Sequence, residues 1–111
     1  MTIRYKSATF DLTTTDKTTI LTCPSDATCL VKNVQASHAT ASNVDVDLFL
    51  QKSGGSDVEI SHKQLNKSFS NMVSDTLALE ASDVLKIQAG SANEITGVVS
   101  YALIDRSQEN G

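Results

Sequence analysis

The sequence has no tryptophan, one proline and only two cysteines in 111 residues, and its aromatic rings number five: Tyr5, Phe10, Phe49, Phe69 and Tyr101. So thin a supply of rings argues against a surface that recognises sugars or nucleobases by stacking. Positive charge is short as well. Nine Lys and Arg against thirteen Asp and Glu leave a net charge of -4, whereas a nucleic-acid binder needs a basic stripe to displace counterions. No apolar run approaches the roughly 20 residues of a membrane-spanning helix. The opening Met1-Thr2-Ile3-Arg4-Tyr5-Lys6 lacks an apolar signal core behind its basic residues, so no Sec-type export is expected. Gly54-Gly55 lacks the Lys and the helix that follow a phosphate-binding loop.

What is present is material for strands. Thr, Ser and Val are abundant, while Pro24 and the five Gly act as punctuation. The length suits one domain. The best-patterned stretch is Leu77-Ala78-Leu79-Glu80-Ala81-Ser82-Asp83-Val84-Leu85-Lys86-Ile87-Gln88-Ala89-Gly90. Leu77, Leu79 and Ala81 share one parity, and Leu85, Ile87 and Ala89 share the next, so each half predicts a strand with one buried side. Ala-Ser-Asp between them predicts a tight corner, with Asp83 bonding back to a nearby backbone N–H. Two such strands need a second sheet to cover them.

The remaining chain supplies that sheet. Ile3 to Leu12 predicts a first strand with a bulge, and 13–17 a polar connection. Thr18 to Cys23 predicts a β-branched strand, followed by a Pro24-Ser25-Asp26-Ala27 turn. In the strand from Thr28 to Ala36, Cys29 and Val31 face one way and Leu30, Val34 and Ala36 the other, which calls for a bulge or burial of both faces. The small polar residues from Ser37 to Asn43 predict a hairpin loop. Val44, Val46, Leu48 and Leu50 alternate with Asp45, Asp47, Phe49 and Gln51 as a half-buried strand. Ser53-Gly54-Gly55-Ser56-Asp57 is the strongest turn signal, and a strand from Val58 to Leu65 follows, with Val58, Ile60 and His62 on one parity. Asn66 to Ser74 reads as a loop plus a short strand anchored by Phe69 and Val73. A turn at 91–94 leads to a closing strand from Ile95 to Ile104, bent at Gly97. The expectation is an all-β, single-domain antiparallel β-sandwich, jelly-roll or immunoglobulin-like, of about eight strands. It spans 1–105, with a polar C-terminal tail over 106–111 that is mobile when unbound.

No residue set announces a reaction. Cys23 and Cys29 would meet in a disulfide across a five-residue loop, while a four-residue loop would send their sulfurs to opposite faces. Without an export signal the reduced, core-filling reading is favoured. His38, in a loop, and His62, on a strand, lack motif partners, and Asp45 and Asp47 read as an ordinary solvated face. Asn66-Lys67-Ser68 fits a glycosylation acceptor, relevant only to a secreted protein. With no G-x-S-x-G context, hydrolase chemistry is unsupported, so no catalytic residue, metal ligand or cofactor is assigned and the chain is read as a non-enzyme. An enzyme this small would display a metal cluster or a nucleophile with its base.

Thr18-Thr19-Ile20-Leu21-Thr22-Cys23-Pro24-Ser25, Leu30-Val31-Lys32-Asn33-Val34-Gln35-Ala36-Ser37, Val44-Asp45-Val46-Asp47-Leu48, the stretch 77–87 and Val98-Val99-Ser100-Tyr101 come in an order that spans nearly the full chain. Taken together, they resemble small β-sandwich virion proteins of tailed phages, particularly phages of marine bacteria and cyanobacteria. Where such proteins often carry Gly before the Asp of the corner, this chain has Ser82. The resemblance implies a capsid decoration or cement protein, or a neck or tail accessory subunit, made in the host cytoplasm and located in the virion. Its partners would be other virion proteins and copies of itself, as a homo-oligomer, with no nucleic acid and no membrane. Subunit contacts are expected at both chain ends, at Thr2, Ile3, Arg4 and Tyr5 and at Tyr101, Ile104 and Arg106. The competing reading, a receptor- or glycan-binding module, would need an aromatic cluster, and Tyr5, Phe49 and Phe69 are scattered. A cupin-like enzyme would need a His-x-His set, which is absent.

Overall fold

The β-branched composition resolves into strands alone, with no helix among the residues described. A computed structural model of the chain describes residues 2–38, 43–66, 70–74 and 76–105, with the backbone alone at 70–72. Nine strands run in order: β1 (Thr2–Leu12), β2 (Thr18–Thr22), β3 (Ala27–His38), β4 (Val44–Gln51), β5 (Asp57–Leu65), β6 (Ser70–Ser74), β7 (Leu77–Leu79), β8 (Val84–Ala89) and β9 (Ile95–Asp105). They form two antiparallel sheets. The first has the order β1-β9-β3-β6 with β7 also on β3, and the second has the order β2-β8-β4-β5. The architecture is the expected β-sandwich. Phe69, the residues after Asp105 and most of the Ser37–Asn43 connection lie outside the described residues.

The two inner faces supply the core. Leu12, Cys29, Val31, Val34, Ala36, Leu79, Ile95 and Val99 from the first sheet meet Leu21, Val46, Leu48, Leu65, Leu85, Ile87 and Ala89 from the second. Leu79, Leu85, Ile87 and Ala89 are buried as their alternation requires. In β3 the register shifts between Val31 and Asn33. That bulge at Lys32 lets Val31 and Val34, three residues apart, both face inward, and it separates Leu30 from Val34 and Ala36. β1, by contrast, pairs with β9 without interruption from Thr2 opposite Asp105 to Leu12 opposite Ile95, so the bulge expected there does not occur.

Connectivity departs from the sequence reading in an instructive way. The turn at Pro24 forms, with Ala27 N–H donating to the Pro24 carbonyl at 3.2 Å. However, β2 and β3 belong to different sheets, as do β3 and β4. Neither connection is therefore a hairpin, and Cys23 and Cys29 do not face each other across one. Alternation shows which side of a strand is buried, but not which sheet holds its neighbour. Between consecutive described strands only β4 and β5 pair as a hairpin, at the Gly-Gly turn, where Gly54 takes φ 77. His38 also differs from expectation: it is the last residue of β3, opposite Ile95, and is buried.

Gly97 stays in register between Phe10 and Ala36. A Cβ there would lie 2.2 Å from the Gln35 carbonyl oxygen and 2.4 Å from the Phe10 ring. This glycine is therefore required for close approach, as a seat for the Phe10 ring.

A candidate interaction surface

The strands begin and end together at one end of the sandwich, and the corners there are tied to each other. Ser82 adopts φ 67, the left-handed conformation that Gly takes without strain. Its N–H donates to the Cys23 carbonyl at 3.0 Å, and Cys23 N–H donates to the Asp83 carbonyl at 2.9 Å. The buried Asp83 carboxylate accepts from Glu80 N–H at 2.9 Å, from Ser53 N–H at 3.1 Å and from the Lys52 ammonium at 2.5 Å. Burial pushes the Asp83 carboxyl up, but the Lys52 ammonium and the two backbone donors outweigh it and hold the group below its ordinary value. Sequence reasoning anticipated a local bond from Asp83. The link to the β4–β5 hairpin, 30 residues away, it did not.

Both chain ends emerge beside this tied end. Ile3 is opposite Ile104, Tyr5 opposite Ala102 and Lys6 opposite Tyr101, so the expected contact residues Thr2, Ile3, Arg4, Tyr5, Tyr101 and Ile104 share one strand pair, a ledge at the end of β1 and β9 in which Tyr101 packs inward against the core; Arg106 lies outside the described residues. Register places Ile3, Tyr5, Ala102 and Ile104 on the outer side together with Leu30. Arg4 and Lys6 take the other side. Every residue from Thr2 to Ser7 is exposed, with Tyr5 at 81% and Ile3 at 49%. β1 pairs with β9 alone, leaving a row of unpaired backbone groups along its far edge.

β5 is an edge of the second sheet, on the flank opposite β1. Its register shifts between Ser61, opposite Leu48, and Glu59, opposite Phe49, which leaves Ile60 as a bulge. Val58 then lies on the Leu50 side and His62 on the Asp47 side, so the expected common face of Val58, Ile60 and His62 does not exist. Val58 is 58% exposed and Ile60 41%. With Ile3 and Tyr5 they are the exposed large hydrophobics among the described residues. An exposed β5 pair had no signal in the sequence, because Val and Ile in a strand ordinarily read as core.

The same bulge gathers charge. Asp47 contacts His62 across the strand pair, and Glu59 Oε1 lies 3.9 Å from His62 Nδ1. The Asp47 hydrogen bond and charge, followed by the charges of Asp45 and Glu59, raise the His62 pKa above its ordinary value. Ligand atoms of Asp47, Glu59 and His62 fall within 4.8 Å of one another; Glu59 and His62 are exposed, Asp47 is half-buried, and an ion pair accounts for the group. Nearby, Asp57 holds Lys86 at 3.0 Å and Lys17 at 3.2 Å, and Lys17 stands 4.3 Å from the centre of the Phe49 ring. This outer face is polar, unlike the ledge at β1. The thiols of Cys23 and Cys29 are free and buried. Burial, then its hydrogen bond to Cys23, pushes the Cys29 thiol up to about 12.

No protein-family model matches the chain, and no curated protein matches it. Solved structures do. A chain in the acid-stable capsid of Helicobacter pylori bacteriophage KHP30 aligns with a TM-score of 0.60 at 13% identity, over 96% of this chain and 90% of that one. A chain of the disulfide-linked pili that form Bacillus endospore appendages aligns at 0.52 and 14% identity, over 95% and 88%. A chain of infectious bursal disease virus, Gx strain, aligns at 0.54 and 9% identity, where 96% of this chain covers 33% of the viral one. At such identities the likeness is one of fold: the β-sandwich seen in viral capsid chains, here in a small, nearly whole-chain form. No helix among the described residues is long and apolar enough to cross a membrane.

Proposed function

We propose that this chain is a non-enzymatic structural protein of a tailed-phage virion, a capsid decoration or cement protein or a neck or tail accessory subunit. It acts through protein–protein contacts with other virion proteins and with copies of itself. The observation that carries the reading is the ledge at β1 and β9. Six consecutive exposed residues on an open edge, with Tyr5 and Ile3 among them, suit a surface that is covered on assembly. The near whole-chain likeness to the KHP30 capsid chain supports the same reading. His38 is buried at the end of β3, and His62 is exposed on β5 beside Asp47.

Purified particles provide the test. The protein is expected in them by mass spectrometry in many copies per particle, with density matching the sandwich in a reconstruction. Its absence from washed, infectious particles would overturn the reading.

A further inference from the structure

The exposed large apolar residues among those described fall on two unlike edges. Ile3 and Tyr5 project from β1, and Val58 and Ile60 from β5. The charges beside them are complementary. Arg4 and Lys6 flank Tyr5, whereas the exposed Glu59 lies between Val58 and Ile60. The sheet orders put β1 and β5 on opposite flanks, β1 against β2 and β5 against β6. Both strands nevertheless start at the tied end: Thr2 opposes Asp105, and Asp57 opposes Gln51, which itself pairs with Val84 next to Asp83. Further along β5, the Ser61 hydroxyl already donates to the Val73 carbonyl at 2.6 Å, so the open segment is the one that carries Val58, Glu59 and Ile60.

We propose that copies of this chain associate side by side through these unlike edges, β1 of one copy against the open segment of β5 in the next. The inference rests on the structural reading above and names a second copy as the partner at that ledge. Ile3 and Tyr5 pack on Val58 and Ile60 of the neighbour, and Arg4 and Lys6 approach its Glu59. Pairing β1 with β1 would instead bring Arg4 and Lys6 of two copies together, a like-charge arrangement that disfavours the symmetric alternative. The bulge at Ile60 limits any regular ladder, so side chains carry most of the contact. A head-to-tail contact of this kind leaves one free edge on each terminal copy and repeats into a ring or a row.

Light scattering on three proteins tests the contact. The wild type is expected to be larger than a monomer. Ile3→Asp/Tyr5→Asp and Val58→Lys/Ile60→Lys are each expected to be monomeric with melting temperatures close to wild type. Mixed, the two variants are expected to form a one-to-one dimer, because each keeps the edge that the other has lost. If a double substitution fails to fold, the single exchanges Lys6→Glu and Glu59→Lys replace it, each expected to weaken assembly alone and to restore it when mixed. A monomeric wild type at the highest soluble concentration, a variant of unchanged size, or a mixture that stays monomeric overturns the proposal. Assembly through other surfaces would leave the virion reading standing, and absence from particles would end that reading whatever the self-association.

Discussion

Individual side chains contribute to this fold by very different means. Leu79 and Ile87 are fully buried on facing sheets, and cutting either to Ala removes packed methyl groups and leaves a void. Leu79→Ala and Ile87→Ala should each cost about 2–5 kcal/mol in chemical denaturation; a loss under about 1 kcal/mol at both would mean that these side chains do not face the core. His62 works at the surface. Its raised pKa means that the contribution of its ion pair is complete below the unfolded value near 6.5 and is lost as pH rises through the higher folded value. An NMR titration should place the His62 midpoint above that of a free histidine, and Asp47→Asn should bring it back down. The partner on β4 was invisible in the sequence, where the two residues are 15 apart, and only the register of the hairpin reveals it.

At the level of elements, the corner between β7 and β8 shows how far the sequence could be read. Its alternation correctly gave both buried faces, and the Asp at its end correctly implied a local hydrogen bond. The corner nonetheless passes from one sheet to the other, and no local pattern distinguishes that from a hairpin. The same limit hid the crossings at Pro24 and after His38, since sheet membership depends on partners remote in sequence. A bulge caused the departure in β5, where one residue inserted at Ile60 inverts the parity on which facing is predicted; the bulge at Lys32 is one of the two readings that the pattern of β3 called for. Ser82 offers a direct test at this scale. Because a non-glycine residue at φ 67 is strained, Ser82→Gly should stabilise the protein, by up to about 1–2 kcal/mol less the entropy that glycine adds to the unfolded chain. A melting curve shifted downward would show that the hydroxyl matters more than the backbone. That both chain ends form strands was legible in their alternation, whereas their pairing with each other and the exposed apolar residues of β5 were not.

Taken as a whole, the molecule keeps its two thiols within one closed core. Cys23 and Cys29 are 1% and 0% exposed, and burial holds the Cys29 thiol in its protonated form. Neither should react with an aromatic disulfide reagent at neutral pH until denaturant opens the sandwich, and both should then react together. Rapid modification of the native protein would show that the inter-sheet space is open on the timescale of the assay. Sequence spacing left the pairing of these cysteines open, because the answer depends on two sheets meeting rather than on the length of the loop between them.

The pairing of β9 between β1 and β3 has a consequence for how the molecule is made. The last of the described strands lies in the interior of the first sheet, so the two strands flanking it stay apart until residues 95–105 arrive. A nascent chain halted before Ile95 would carry two orphaned edges and bare inner faces, a state that invites capture by a chaperone or clumping with its siblings. Closure of the first sheet therefore waits on β9.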